Sequence, residues 1–260
     1  MAKEQAEARR KGPGDNPARR ASDRGRYGRL SRERVLASAL ELVDREGLSA
    51  LSMRRLGAEL GVEAMALYRY AASKDALLDG LVEALYLELE ERLAAAPEPA
   101  ATAEVPAWRA RLHRIALATY DVCLAHPEAV PLLATRMLAV PLARRPAAVL
   151  RDHERVLALL KDAGFDETLA SAVFRAFTAW LLGYVSVELR PMVDNPDEPD
   201  PAFRLGLHRL SPQELPTLRE TATALADRGG PEGLAAGLDA LLDRFARRER
   251  TVRPADAASG

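Results

Sequence analysis

Six side chains between residues 52 and 74 carry groups suited to a phosphodiester polymer: Ser52, Arg54, Tyr68, Arg69, Tyr70 and Lys74. Arg54 and Arg69 each present a rigid fork of N–H donors that can take guanine O6 and N7 together. Tyr68 and Tyr70 place phenol hydroxyls within reach of phosphate oxygens. Ser52 opens a helix, where its hydroxyl and the free backbone N–H groups suit an anion. Lys74 opens another, so its ammonium adds to that helix's positive end. Phosphate contacts of this kind set register without reading sequence. Ala64, Met65 and Ala66 lie between, apolar where polar readers could stand. They can pack on thymine methyl groups, which discriminates weakly and leaves specificity to Arg54 and Arg69. Glu63 can cap the short helix or accept from cytosine N4, but it repels phosphate. Arg55 reads as a solvated surface charge.

Residues 51–77, LSMRRLGAELGVEAMALYRYAASKDAL, supply the elements that hold these groups. Ser52 caps a helix with Leu56 and Leu60 inward, and Gly61 makes the tight turn. A short helix follows over about 64–70, anchored by Leu67, and Ser73 caps the next. This is a helix-turn-helix, which offers one helix to the DNA major groove and fixes its ends on phosphates. Upstream, Ser31 caps a helix with Val35, Leu36, Ala39, Leu42 and Val43 at helical spacing, closed by Gly47. Downstream, Leu77, Leu78, Leu81, Val82, Leu85 and Leu89 form an apolar stripe running past residue 90. That helix is long enough to join the DNA-binding unit to whatever follows.

The remainder also reads as helices. A Pro-rich connection covers 95–106 (AAPEPAATAEVP). Helices are expected near 107–125, after His126-Pro127, over 146–163 ending at Gly164, and over 166–189. A proline-punctuated loop spans 190–212, and two helices follow near 213–228 and 231–249. No internal repeat and no strand pattern is present. The expected fold is all-α: a basic disordered arm at 1–30, a helix-turn-helix DNA-binding domain at 31–78, a larger helical ligand-binding and dimerisation domain at 79–250, and a flexible tail at 251–260.

The net charge of −1 conceals an asymmetry: residues 1–80 hold 16 Arg/Lys and 12 Asp/Glu, residues 81–260 hold 21 and 26. A basic front and an acidic body suit a chain that offers one end to a polyanion. Hydrophobic residues at 48% and charged residues at 29% give a soluble globular balance. No apolar run approaches the ~20 residues that span a bilayer, and the Arg-rich N-terminus lacks a signal-peptide core. No membrane partner and a cytoplasmic location are expected, and the single Cys123 fits a reducing compartment.

An enzyme is not expected. His113, His126, His153 and His208 are scattered without metal-ligand spacing, so no metal and no cofactor is assigned. Cys123 and His126 are one helical turn apart, but no third group is evident to orient the imidazole. Asp152-His153-Glu154 reads as a polar helix face, and no Gly-rich phosphate loop occurs.

The segment Ser31–Leu85 resembles the TetR (tetracycline repressor) family of bacterial transcription regulators. The matching pieces are Ala39–Leu42, Gly47–Ser52, Arg54, Leu56, Leu60-Gly61-Val62, Leu67–Tyr70 and Ser73–Leu78, in order and in spacing. Trp108, His126-Pro127, Thr135-Arg136, Gly164-Phe165, Leu182–Tyr184 and the Leu-rich closing helix extend the likeness to a tetracycline-repressor type of ligand domain. The resemblance implies an all-helical homodimer that binds a palindromic operator through its small domains. Its larger domains would bind a small-molecule effector and dimerise through the last long helices. It also implies a ligand-released repressor; a transcriptional activator or a non-specific architectural DNA-binding protein is the alternative. As a set, the expected effector-lining residues rest on the resemblance: His113, Tyr120, Arg136, Met137, Phe174, Phe177, Trp180, Tyr184 and Glu188. Tetracycline repressors place a magnesium-coordinating His just before the Thr-Arg pair. Here Leu132, Leu133 and Ala134 stand there, and no magnesium–tetracycline site of that type is expected. The arm, with nine Arg/Lys against four Asp/Glu, either tracks DNA beside the operator or is a soluble tail.

Overall fold

Three serines start three of the first four helices. Ser31 Oγ accepts from the Arg34 N–H (3.2 Å) to open α1 (Arg32–Glu46). Ser52 Oγ accepts from Arg55 (3.1 Å) to open α2 (Met53–Leu60). After the single turn of α3 (Ala64–Leu67), Ser73 Oγ accepts from Ala76 (3.0 Å) to open α4 (Lys74–Ala95). Each hydroxyl occupies a backbone donor that the first helical turn would otherwise leave unpaired. α5 (Ala107–Ala125), α6 (Val130–Ala139), α7 (Ala147–Asp162) and α8 (Glu167–Leu189) follow. The short α9 (Pro201–Arg204), α10 (Pro216–Glu220) and α11 (Ala222–Ala226) lead to the long α12 (Gly230–Asp256). The computed structural model describes residues 30–98, 105–189, 198–204, 206–226 and 228–256, and no strand occurs among them. The arm up to residue 29 and most of the 99–106 and 190–197 connections lie outside the described residues.

α4 belongs to two packing neighbourhoods. It meets α1 near its N-terminal end and α5, α6 and α7 along the rest of its length. Leu77, Leu81, Leu85, Leu89 and Leu93, four residues apart, are all buried along its length. Leu42, Leu51, Leu56, Leu67 and Leu77 on one side and Leu112, Leu132, Leu160, Leu234, Leu238 and Leu242 on the other belong to one continuous core, which α4 runs through.

Three expectations change. The helix expected over 213–228 begins only at Pro216, because Leu215 precedes a proline and is held out of helical conformation (φ −131°), and it is broken into two short helices at Thr221. The last helix runs on to Asp256, past the expected end at about 249. α8 is 23 residues long with a mean hydropathy of 1.3 over an 18-residue window, long and apolar enough to cross a membrane by length and composition. No apolar run approaching that length was expected. In the fold α8 packs against α5, α6, α7 and α12.

Candidate nucleic-acid interface and effector groove

Gly57 and Gly61 set the angle of the helix-turn-helix. Gly61 closes α2 in the left-handed region (φ 66°, ψ 31°), which glycine enters without steric cost. Gly57 lies where α2 and α3 cross. A Cβ there would stand 2.8 Å from the Val62 carbonyl oxygen and 3.2 Å from the Ala64 nitrogen, both backbone atoms that cannot turn aside. The sequence reading did not single out Gly57, since a glycine inside a helix declares nothing about what approaches it.

On this frame Arg54, Met65, Tyr68, Arg69 and Lys74 are exposed, Met65 at 74% and Tyr68 at 43%. Ala64 and Ala66 are half-buried beside them. Arg54 makes no ion pair among the described residues. Arg55, expected to be a solvated charge, bonds Glu46 (2.5 Å) on α1 and Glu59 (3.2 Å) on its own helix. Arg45 bonds the same two carboxylates, so four charges tie α1 to α2. Ser52 uses its oxygen to accept from Arg55 N–H, which leaves the hydroxyl hydrogen for a phosphate. Glu63 stands at the N-cap of α3 but makes no capping hydrogen bond.

Tyr70 is a correction. Its ring is half-buried against the core, and its hydroxyl donates to the Leu30 carbonyl (2.8 Å) and accepts from Arg69 (2.8 Å). The hydroxyl expected to reach a phosphate instead anchors the chain at the base of the arm. The Arg69 guanidinium also lies over the Tyr70 ring, 5.1 Å from its centroid.

Among the described residues, most of the side chains expected to line an effector site contact one another or neighbouring helices. Tyr120, Tyr184 and Trp180 form a run of rings, with centroids 6.5 and 5.5 Å apart. Gly229, Gly233 and Gly237 make room for them: a Cβ would lie 2.7–2.8 Å from Tyr184 Oη or Trp180 Cζ2. Tyr184 donates to the Gly230 carbonyl, and Glu188 accepts from the Gly229 and Gly230 N–H groups at the start of α12. His113 Nε2 lies 2.7 Å from Asp239, which also holds Arg109. These groups dock α12 onto α5 and α8. Phe177 is buried, and Phe174 lies beside the His153 ring (5.0 Å). The Met137 side chain lies outside the described residues. Arg136 bonds Asp79 (2.6 Å) and Asp75 (3.1 Å), joining α6 to the first turns of α4 rather than facing a ligand.

An open space exists elsewhere. A groove of about 470 Å³ between α4, α5 and α7 has Leu93, Ile115, Ala158 and Leu159 on its floor and Glu90, Arg111, Arg114 and Arg155 on its rim. Arg114 closes its end by bonding the Leu93 and Ala96 carbonyls at the α4 C-terminus, together with Glu98. A second, more open groove of about 640 Å³ lies across Leu93 and includes His113. Deeper between the helices is a void of about 20 Å³, walled by Tyr86, Thr119, Cys123 and five apolar residues, with room for about one water molecule. Burial pushes the Cys123 thiol up to about 12, which favours its neutral form. His126, expected to lack an orienting group, sits between Asp44 and Glu88. Asp152 and His153, expected on a polar face, are buried in the α7 packing. Leu132 and Leu133 are buried and offer no donor atom, so these positions do not fit a magnesium-coordinating imidazole.

Comparison with known proteins agrees with this geometry. The family described as bacterial regulatory proteins, tetR family, matches residues 35–81. The tetracyclin repressor-like C-terminal domain matches residues 101–245. An HTH-type transcriptional regulator of Saccharopolyspora erythraea is 35% identical over 159 residues, 61% of each chain. The HTH-type transcriptional repressor DrrR1 of Streptomyces coeruleorubidus is 34% identical over 155 residues, 59% of this chain and 52% of that one. The matched stretch thus spans between half and two thirds of these two relatives. A crystal structure of a possible TetR family transcriptional regulator from Streptomyces coelicolor A3(2) has a TM-score of 0.66 at 26% identity, covering 86% of this chain and all of that one. With one family model on the helix-turn-helix and a second on more than half of the chain, the protein belongs to the TetR family of bacterial transcriptional regulators.

Proposed function

We propose that this regulator is a ligand-released repressor that binds a palindromic operator as a homodimer. One observation carries the reading: α4 bears the exposed Lys74, at the end of the helix-turn-helix, at its start and forms a wall of the α4–α5–α7 groove, through Glu90 and Leu93, at its other end. The domain division then falls within α4, near residue 78. Arg54 and Arg69 read bases from the major groove, while Ser52, Tyr68 and Lys74 take phosphates. The half-buried Tyr70 holds Arg69 in place. Ala64, Met65 and Ala66 meet thymine methyl groups.

The groove suits a ligand with an apolar ring system and a polar edge toward Glu90 and Arg155. A ligand that fits better when α4 is tilted draws the population to that tilt, and by linkage weakens DNA binding by the same factor. Arg136 on α6, held by Asp75 and Asp79, transmits the change to the start of α4. Dimerisation uses α8, where Arg175, Ala179, Gly183 and Val187 are exposed at four-residue spacing, Val187 at 76%. The small and apolar Ala179, Gly183 and Val187 of this stripe let a second helix approach closely.

Selection of bound fragments from genomic DNA by the purified protein tests the reading. A single palindromic motif with half-sites about one turn, ~34–36 Å, apart is expected. Salt-sensitive binding without a motif would overturn it in favour of an architectural role.

A further inference from the structure

Three arginines (Arg111, Arg114, Arg155) and three carboxylates (Glu90, Glu98, Asp162) border the α4–α5–α7 groove, so its charges balance. Glu90 is taken by Arg151, each oxygen accepting at 2.9 Å, and Arg155 by Asp152 (3.3 Å). Arg111 and Arg114, one helical turn apart on α5, converge on the single carboxylate of Glu98. Arg111 Nε donates to Glu98 Oε2 (3.1 Å) and Arg114 Nη1 to Oε1 (2.5 Å). Glu98 belongs to no helix: it follows the end of α4 at Ala95, and its side chain is 63% exposed against 17% for Arg114. The hydrogen bond from Arg114 holds its carboxyl below the usual range, so it stays an anion at neutral pH. Arg114 Nε is buried without an acceptor, so Glu98 serves this guanidinium only in part. Beside the pair lies the apolar floor of Leu93, Ile115 and Leu159. A carboxylate standing largely in water is thus laid on a sheltered arginine pair, where an amphipathic acid lying in the groove would place its own.

We propose that Arg111 and Arg114 form an anion subsite of this groove, that Glu98 occupies it in the free protein, and that the effector is an apolar ring compound whose acidic group takes the place of Glu98. The proposal rests on the repressor reading above for its effect on DNA, and on the groove alone for its chemistry. An acid added with Glu98 in place would set four negative charges against three positive ones; displacing Glu98 restores the balance. The displaced carboxylate returns to water at small cost, because a part-exposed ion pair is weak. The arginine pair keeps a charge-assisted partner throughout. Until then Glu98 is a tethered competitor, and the apparent affinity of an acid is lowered by the fraction of time the subsite is open. A neutral ligand meets no such competition. The exchange also frees the chain just after α4 from Arg111, so the acid binds best when the end of α4 is untied from α5. That preference for one state is what a ligand needs in order to shift the tilt of α4.

Two fluorescent probes with one ring system separate the charge from the apolar part: anilinonaphthalene sulfonate carries an anion, and phenylnaphthylamine does not. Both are titrated into the full-length protein. Glu98→Ala is expected to tighten the sulfonate about fivefold, the scale of one part-exposed ion pair, and to leave phenylnaphthylamine unchanged. Arg111→Gln should weaken the sulfonate alone. A role for Glu98 confined to holding the end of α4 would shift the two probes together. Parallel changes in both probes therefore overturn the proposal, as does a sulfonate affinity that Glu98→Ala fails to raise or that Arg111→Gln fails to lower. These titrations need no DNA. If selection recovers no operator, the repressor reading fails while the fate of the arginine subsite is still decided.

Discussion

Arg54 and Arg55 are neighbours in sequence with opposite fates. The phase of α2 turns Arg54 outward, whereas Arg55 meets Glu46 and Glu59. The helical period made the outward residue legible. It could not show Glu46, nine positions upstream on another helix, as the partner of Arg55. Tyr68 and Tyr70 divide in the same way: the spacing gave two phenols, and only the tertiary fold shows that one bonds the Leu30 carbonyl. Arg54→Ala is expected to cost about 1–3 kcal/mol of operator binding and to relax selectivity at one base position. Lys74→Ala should weaken binding evenly across sequences and lower the salt slope by about 1. Fluorescence anisotropy on operator and scrambled duplexes, at several salt concentrations, separates the two. Equal losses on both duplexes for Arg54→Ala would remove it as a base reader.

At the scale of elements, the helices and their caps were legible because Ser, Gly and the apolar period mark them locally. The contacts made by the residues offered as effector-lining were not. The aromatic stripe of α8 looks like a pocket wall until α12 is seen to pack close in front of it, with Gly233 and Gly237 on that helix and Gly229 just before it letting Tyr184 and Trp180 come near. The groove that does open is walled by three helices whose relative placement no local pattern gives. α7 shows the same limit, since Asp152-His153 looks polar and exposed yet faces inward. Burial raises the Asp152 carboxyl from 3.8 to about 6, opposed by Arg155. The unfolded chain therefore ionises first, and stability falls as pH rises from about 4 to about 6. Burial, with the Arg145 charge, lowers His153 from 6.5 to about 4. There the unfolded chain takes the proton first, and stability falls as pH drops through that window. The two slopes oppose each other. Asp152→Asn removes the first, so it should stabilise the fold at pH 7 by on the order of 2–3 kcal/mol. It should also leave a steady loss below about pH 6.5. Thermal unfolding between pH 4.5 and 7.5 checks this; an Asp152→Asn protein no more stable than its parent at pH 7 would contradict it.

For the molecule as a whole, the sequence showed a basic end and an acidic body, and the structure adds what lies between. The exposed stripe of α8 has no partner within the described chain, which is why a second copy is the proposed occupant. Val187→Asp should place a charge in that contact, shift sedimentation toward a monomer and abolish high-affinity operator binding while leaving the helical content unchanged. A Val187→Asp protein that remains dimeric would place the interface elsewhere.

The length of α4 has a consequence in simple leverage. Twenty-two residues make a rod about 33 Å long. If its groove end is the fulcrum, a tilt of about 5° carries Lys74 about 3 Å sideways along such a rod. In a symmetric pair the two ends move in opposite senses, so the heads part by about 6 Å against a DNA rise of about 3.4 Å per base step. An effector too small to span more than the groove can in this way put the two heads out of step by nearly two base pairs.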